Sequence, residues 1–381
     1  MNQRMNTNNN SLQAERITPI SAALTLAGGV IGPSFATGKE ILVYFGNFSL
    51  KGFAGIIIAF LTLGVVLYMS FCIAKNMDKY TFEWQLSPRG WKPLRYFFKW
   101  LTIVGMFLAV SSMFAAAGSV VRYAIEAPAF LGALFMAAAV FISSHLDIKE
   151  LSVLMKKTVP AMVSISAIVC IICVINPEAD VSGWYSIEST NPLIGGWLTS
   201  GLIYCGYNTG AVRAIVPTMA GQIKSKKLIV KSLLLLVLIL TAAASFTMAA
   251  LIVNYSICAS EDMPVIALAY TKSSVLGGVY SAAALVAIYN TCVTSTQILK
   301  NSMSELEPIR FRENSVKPAI AIVLFAAFGL SFVGISVFVD RIWAVLGYTA
   351  YLGIGFLTYN FFHYTRHPNI QRNIKNQDEG K

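Results

Sequence analysis

Apolar runs of eighteen residues or more recur along almost the whole of this 381-residue chain, separated by short polar connections. A run of that length crosses a hydrocarbon layer of about 30 Å as a helix, and the layer tolerates no unpaired backbone groups facing lipid. The chain therefore reads as an all-α membrane protein. Its 56% apolar and 12% charged residues exclude an ordinary soluble domain. The net charge of +11 does not point to nucleic acid, because the basic residues fall in the connections rather than in a patch with interleaved aromatics.

Ten spans can be drawn, at roughly residues 17–46, 52–75, 94–122, 128–145, 158–175, 193–221, 227–254, 274–300, 316–336 and 340–362, with Phe338 to Arg341 as the tight turn before the last. Sorting Lys and Arg by alternate sides of these spans puts twenty-three on the side of the two termini and four, Lys51, Arg122, Lys272 and Arg341, on the other. Basic residues accumulate in cytoplasmic loops, so both termini are expected in the cytoplasm of a multi-pass cytoplasmic-membrane protein. Residues 1–16 are polar and Asn-rich, which predicts a disordered cytoplasmic tail, with a second tail at 363–381. The apolar run that begins at residue 17 is too long for a signal peptide. Residues 176–192, acidic and aromatic with no basic residue, suit an external loop, and Ile257 to Ser273 suits a short re-entrant or interfacial helix.

Ten spans divide into a first five-helix repeat at 17–175 and a second at 193–362. Since five is odd, a shared fold would make the second repeat inverted. The first span carries an unusual interruption, Ala27 to Gly38, with four glycines and Pro33 between two half-helices. Glycine costs backbone entropy and proline removes a donor, so a continuous helix is not expected there. The inverted plan asks for a matching break in the sixth span, and Tyr204-Cys205-Gly206-Tyr207-Asn208-Thr209-Gly210 supplies a Gly/Asn-containing candidate. Small residues at helix contacts are the other explanation for such glycines. Broken helices offer an anion the free N–H groups of one half and a cation the free carbonyls of the other, without charged side chains.

Two charges lie inside spans. Arg213 is about 16 Å of helix from Lys224, too far for easy snorkelling. It fits a substrate carboxylate, a fixed replacement for Na⁺, an inward vestibule or a structural ion pair. Lys39 and Glu40 lie about 9 Å beyond the first break and fit an external gate pair, a proton carrier or a solvated vestibule. Thr291, Thr294 and Ser295 share one helical face, where their hydroxyls either meet an ion or bond back to their own helix. The six cysteines, Cys170-x-x-Cys173 included, read as small core residues rather than a metal or redox pair. No nucleophile triad, phosphate loop or paired catalytic carboxylates appear, so the protein is not expected to be an enzyme, and no cofactor or metal beyond a coupling ion is implied.

Ile31-Gly32-Pro33-Ser34-Phe35-Ala36-Thr37-Gly38-Lys39-Glu40 resembles the first-helix motif of the YkvI-like membrane proteins, an amino-acid permease family of the amino acid-polyamine-organocation superfamily. The ten-span plan is similar across residues 17–362. The resemblance implies a LeuT-like 5+5 inverted repeat with helices 1 and 6 broken, and secondary transport of a small amino acid or amine, coupled to Na⁺ or H⁺. It further implies that Gly32, Pro33, Ser34 and Phe35 form a carboxylate-binding turn, although Pro33 has no N–H to donate. Tyr204, Gly206, Tyr207 and Asn208 match the segment that meets the substrate amine and side chain, with interhelical packing as the other role for the tyrosines. By the same match, the carbonyls of Gly28 and Ile31 and the hydroxyls of Thr291, Thr294 and Ser295 would form an Na⁺ cage. A ligand-sensing receptor subunit that uses the same fold without transport, as germinant-receptor subunits do, is the alternative.

Overall fold

Thr18 opens the first helix: its hydroxyl accepts a hydrogen bond from the Ser21 N–H at 3.1 Å, and Pro19 occupies the first turn, where no N–H is needed. The computed structural model describes residues 18–31, 35, 37–76, 85–87, 91–144, 148–178, 189, 191–213, 215–223, 225–304 and 316–366. In chain order the helices are α1 (Pro19–Val30), α2 (Lys39–Tyr44), α3 (Lys51–Asn76), α4 (Lys92–Ile125), α5 (Ala129–Ser143), α6 (Ile148–Ile175), α7 (Trp197–Arg213), α8 (Val216–Gln222), α9 (Lys226–Val253), α10 (Tyr255–Cys258), α11 (Pro264–Lys272), α12 (Ser274–Ser304), α13 (Val316–Ser331), α14 (Ile335–Val337) and α15 (Trp343–Arg366). Every expected span contains helix. Five stretches are long and apolar enough to cross a bilayer, namely Lys51–Lys75, Lys92–Ile125, Lys226–Val253, Ser274–Ser304 and Ile335–His363. Their outward faces carry exposed Ile57, Leu61 and Val65 on α3 and Leu234 and Leu238 on α9. Such surface is stable against lipid rather than water, so the chain is a multi-pass membrane protein.

The expected break in the first span falls on Gly32 to Ser34, which lie outside the described residues. α1 ends at Val30, and α2 starts after Gly38, whose φ of 76° is left-handed. A Cβ at Gly38 would also lie 2.5 Å from Val265 Cγ2, so two constraints select glycine there. The second interruption differs from expectation. α7 runs without a break through Tyr204 to Gly210 and stops only at Arg213, and helix resumes at Val216. Pro217 explains the position: in a continuous helix its N–H would bond the Arg213 carbonyl, and proline has none. Gly206 instead serves close packing, since a Cβ there would sit 2.4 Å from the Gly347 carbonyl oxygen of α15.

The turn expected at Phe338 to Arg341 is also displaced. Those residues belong to a π-helical turn, Phe338–Ile342, that joins α14 to α15, and the chain reverses earlier, at Gly334 with φ 85°.

The packing pairs repeat when each helix is exchanged for its counterpart five spans on. α1 packs on α9 as α7 packs on α3, α6 on α9 as α15 on α3, and α1 on α6 as α7 on α15, while α4 and α12 pack on each other. α1, α2, α7, α4, α12 and α15 thereby meet in the middle of the molecule.

Candidate functional site

A cavity of about 160 Å³ lies between the end of α1, the start of α2, α4, α7, α12 and α15. Gly206, Tyr207, Asn208, Arg213, Glu40, Thr291 and Ser295 all line it, so residues far apart in the sequence converge on one space. Phe98 to Met113 of α4 form one wall, a stretch of about 22 Å at helical rise.

Glu40 is 3% exposed and sits at the cavity edge, where the Tyr207 hydroxyl donates a hydrogen bond to Oε2. The Tyr207 ring stacks on Trp343, with centroids 5.7 Å apart and planes 19° from parallel. α2 is docked on α7 by two further contacts: the Ser200 hydroxyl donates to the Tyr44 carbonyl, and the rings of Tyr44 and Tyr207 lie 5.6 Å apart. Tyr44 in turn donates to the Val339 carbonyl of the π turn at 3.0 Å. A buried carboxylate, a phenol and an indole are thus held rigidly side by side.

Arg213 closes the other end of the α7 wall. It is 3% exposed and lies beside Gly353 of α15, where a Cβ would stand 3.5 Å from Nη2. Six residues separate Tyr207 from Arg213, about 9 Å along the helix. Among the described lining residues Glu40 is the one acid and Arg213 the one base. A ligand in this space meets an anion at one end, a cation at the other, and aromatic and methionine surface between.

Other expected residues lie elsewhere. Gly32, Pro33 and Ser34 fall outside the described residues. Ile31 and Phe35 line a second, apolar cavity of about 260 Å³ between α6 and α9. Tyr204 is 1% exposed and packs among Tyr44, Phe45 and Phe60, which is the interhelical role and not contact with the cavity. Thr291 donates to the Ala287 carbonyl at 3.1 Å and Thr294 to that of Asn290 at 2.9 Å, so both hydroxyl protons are used within α12. Thr291 and Ser295 line the main cavity, Ile31 lines the second, and Gly28 lies within α1. Lys39 and Glu40 are not a pair exposed to solvent. Both are buried and turn apart, Lys39 Nζ donating to the Glu261 carbonyl at 2.9 Å and Glu40 facing the cavity.

That Lys39 contact belongs to a set of ties across one end of the bundle. Arg122 pairs with Asp262 at 2.9 Å, Ser336 donates to the same carboxylate at 2.6 Å, Lys272 pairs with Glu178 at 2.7 Å, and Asn191 donates to the Asp340 carbonyl at 2.8 Å. The turn between α10 and α11 is the hub of this closure. The cavity extends toward the opposite end, past Met106 and Thr102 to Phe98 and Leu86.

Phe98, Thr102, Met106, Thr349 and Trp343 line the cavity without having been singled out from the sequence. Trp343 carried a usable signal, since an indole close after Asp340 and Arg341 in an apolar segment calls for a polar neighbour. The residues of α4 carried none, because a helix that is apolar all round does not reveal which face meets a cavity.

The fold is that of LeuT-like membrane transporters. Over 93% of this chain and 78% of that one, the structure matches the inward-facing conformation of Mhp1 with a TM-score of 0.67 at 14% identity. Mhp1 as a nucleobase-cation-symport-1 family transporter, closed with bromovinylhydantoin bound, matches with a TM-score of 0.62 at 14% identity over 87% and 75% of the chains. A manganese transporter from Eremococcus coleocola matches with a TM-score of 0.50 at 16% identity over 90% and 76%. In sequence, the chain is 22% identical over 350 residues to the uncharacterized membrane protein YkvI of Bacillus subtilis (strain 168), covering 88% of this chain and 94% of that one. The resemblance read from the first-helix motif thus extends along nearly the whole chain. No protein-family model matches it. The solved structures it matches are of transporters, not enzymes.

Proposed function

We propose that the protein is a secondary active transporter that carries a small amino acid or related amine across the cytoplasmic membrane by alternating access. The observation that carries this reading is the central cavity, with Glu40 at one end and Arg213 at the other. A zwitterion would place its ammonium toward Glu40 and its carboxylate toward Arg213, with its side chain against Trp343 and Met106.

In this reading ten spans form two inverted repeats, 17–175 and 193–362, and the gaps after Val30 and Arg213 are breaks in spans 1 and 6. The repeated packing pairs support the division. Both termini are then cytoplasmic, the Asp262 closure is external, and the cavity extends toward the cytoplasm. Na⁺ or H⁺ would drive the cycle.

Uptake of labelled amino acids and amines into proteoliposomes, with and without Na⁺ or a pH gradient, tests this reading. Accumulation of at least one is expected. Folded protein that binds a ligand and moves none of the panel would overturn transport in favour of a sensor.

A further inference from the structure

The polarity of the cavity is concentrated at one short helix. α2 has six residues, and its first two side chains do different work: Lys39 fastens the α10–α11 turn at the closed end, and Glu40 meets Tyr207 at the cavity. A change in charge at Glu40 therefore acts on the same rigid piece that holds the closure. We infer that Glu40 carries the coupling proton, taking it up when the cavity faces outward and releasing it to the cytoplasm with each substrate.

This assignment rests on the transporter reading above. Glu40 shares its cavity with Val30, Met106, Met113 and Leu346, and a carboxylate in apolar surroundings is costly to keep charged unless a cation or a proton accompanies it. The step is a simple protonation: the carboxylate takes H⁺ from water on the outer side to become the acid, and returns it to water on the inner side. No other bond changes. Tyr207 bonds either form, donating to the carboxylate or accepting from the acid. Glu40 lines the same cavity as Tyr207 and Arg213, so its carboxyl group stands beside the proposed substrate.

Among the described residues, α7, α2 and the π turn bring charged and titratable groups toward Glu40. α7 brings Tyr204, Tyr207 and, across the cavity, Arg213; α2 itself carries Lys39 and Tyr44; the π turn brings Asp340, which interacts with Lys39. α9 and α11 meet the start of α2 with Leu251 and Val265.

The test uses the full-length chain in proteoliposomes, alkaline inside, with a mixture of the common labelled amino acids outside. For one proton per substrate, each pH unit of gradient supports about tenfold accumulation. Glu40→Gln is expected to lose the response to the gradient, and Glu40→Asp to keep it. A wild-type chain that moves none of the mixture overturns the transporter reading and the coupling with it. A wild-type chain that transports, with a Glu40→Gln variant that still follows the gradient, overturns the coupling alone. A second measurement does not depend on transport. In a variant whose only tryptophan is Trp343, stacked on Tyr207, fluorescence is expected to show a single-proton transition that Glu40→Gln removes and Tyr207→Phe displaces. Its persistence in Glu40→Gln, or its absence while Glu40 is intact, would overturn the assignment.

Discussion

The segments α1–α2 and α7–α8 are both interrupted, yet they stop for different reasons. α1 ends at Val30, just before Gly32 and Pro33 in the sequence, and the left-handed Gly38 precedes α2. α7 passes three glycines untouched and ends where Pro217 cannot serve the Arg213 carbonyl. Glycine thus has two uses in a membrane helix, and only its surroundings distinguish them. Gly38 allows a backbone angle, whereas Gly206 allows another backbone to come close.

The comparison breaks most sharply at Gly38. Gly38→Val combines a left-handed φ with a collision at Val265, costs of about 1–3 kcal/mol each. Thermal unfolding of the detergent-solubilised protein should fall by many degrees or the folded fraction should be lost; a wild-type melting temperature would show that α2 does not depend on this cap. Arg213→Gln removes the cation at the end of α7, and a carboxylate ligand should bind about ten- to a hundredfold more weakly, the loss of one charged hydrogen bond. Isothermal titration with amino acids identified by uptake would measure it, and unchanged affinity would return Arg213 to a structural role.

The next test separates Gly206 from Gly210. Gly206→Val should destabilise by about 1–3 kcal/mol, because α15 stands in the way. Nothing lies within 4 Å of a Cβ at Gly210, so Gly210→Ala should be neutral or stabilise by up to about 1 kcal/mol. A melting temperature lowered by Gly210→Ala would mean that the helix does break there. The smallest effect belongs to the closure fastened to α2 but not to α8. Asp262→Asn weakens a pair whose side chains are 53% and 29% exposed, worth about 1 kcal/mol at most and less at high salt. Its clearer readout is faster labelling of a cysteine placed at Thr291 from the outer side.

Much of this was legible in the sequence because membrane spans announce themselves by length. The end of α1 at Val30 was legible too, since glycines and a proline follow it. The helix continues through Gly206, where the expected break does not occur because that glycine serves close packing on Gly347. Arg213 and Glu40 stood out as charges inside spans and Tyr207 through the family resemblance, and all three line the cavity. What the sequence withheld was direction: that Lys39 and Glu40 face apart, that Tyr204 turns into the core while Tyr207 turns to the cavity, and which side of α4 forms the wall. These depend on helix rotation, which an all-round apolar pattern leaves undetermined.

The contact between Gly206 and Gly347 has a consequence for inheritance. A Cβ at Gly347 would in turn fall 2.6 Å from the Ile203 carbonyl oxygen, so neither position has room for a methyl group while α7 and α15 stay together. The two codons are therefore expected to drift as a unit in relatives of this chain. A lineage in which one gained a side chain should show a wider spacing of these helices, and with it a different fit between Tyr207 and Trp343.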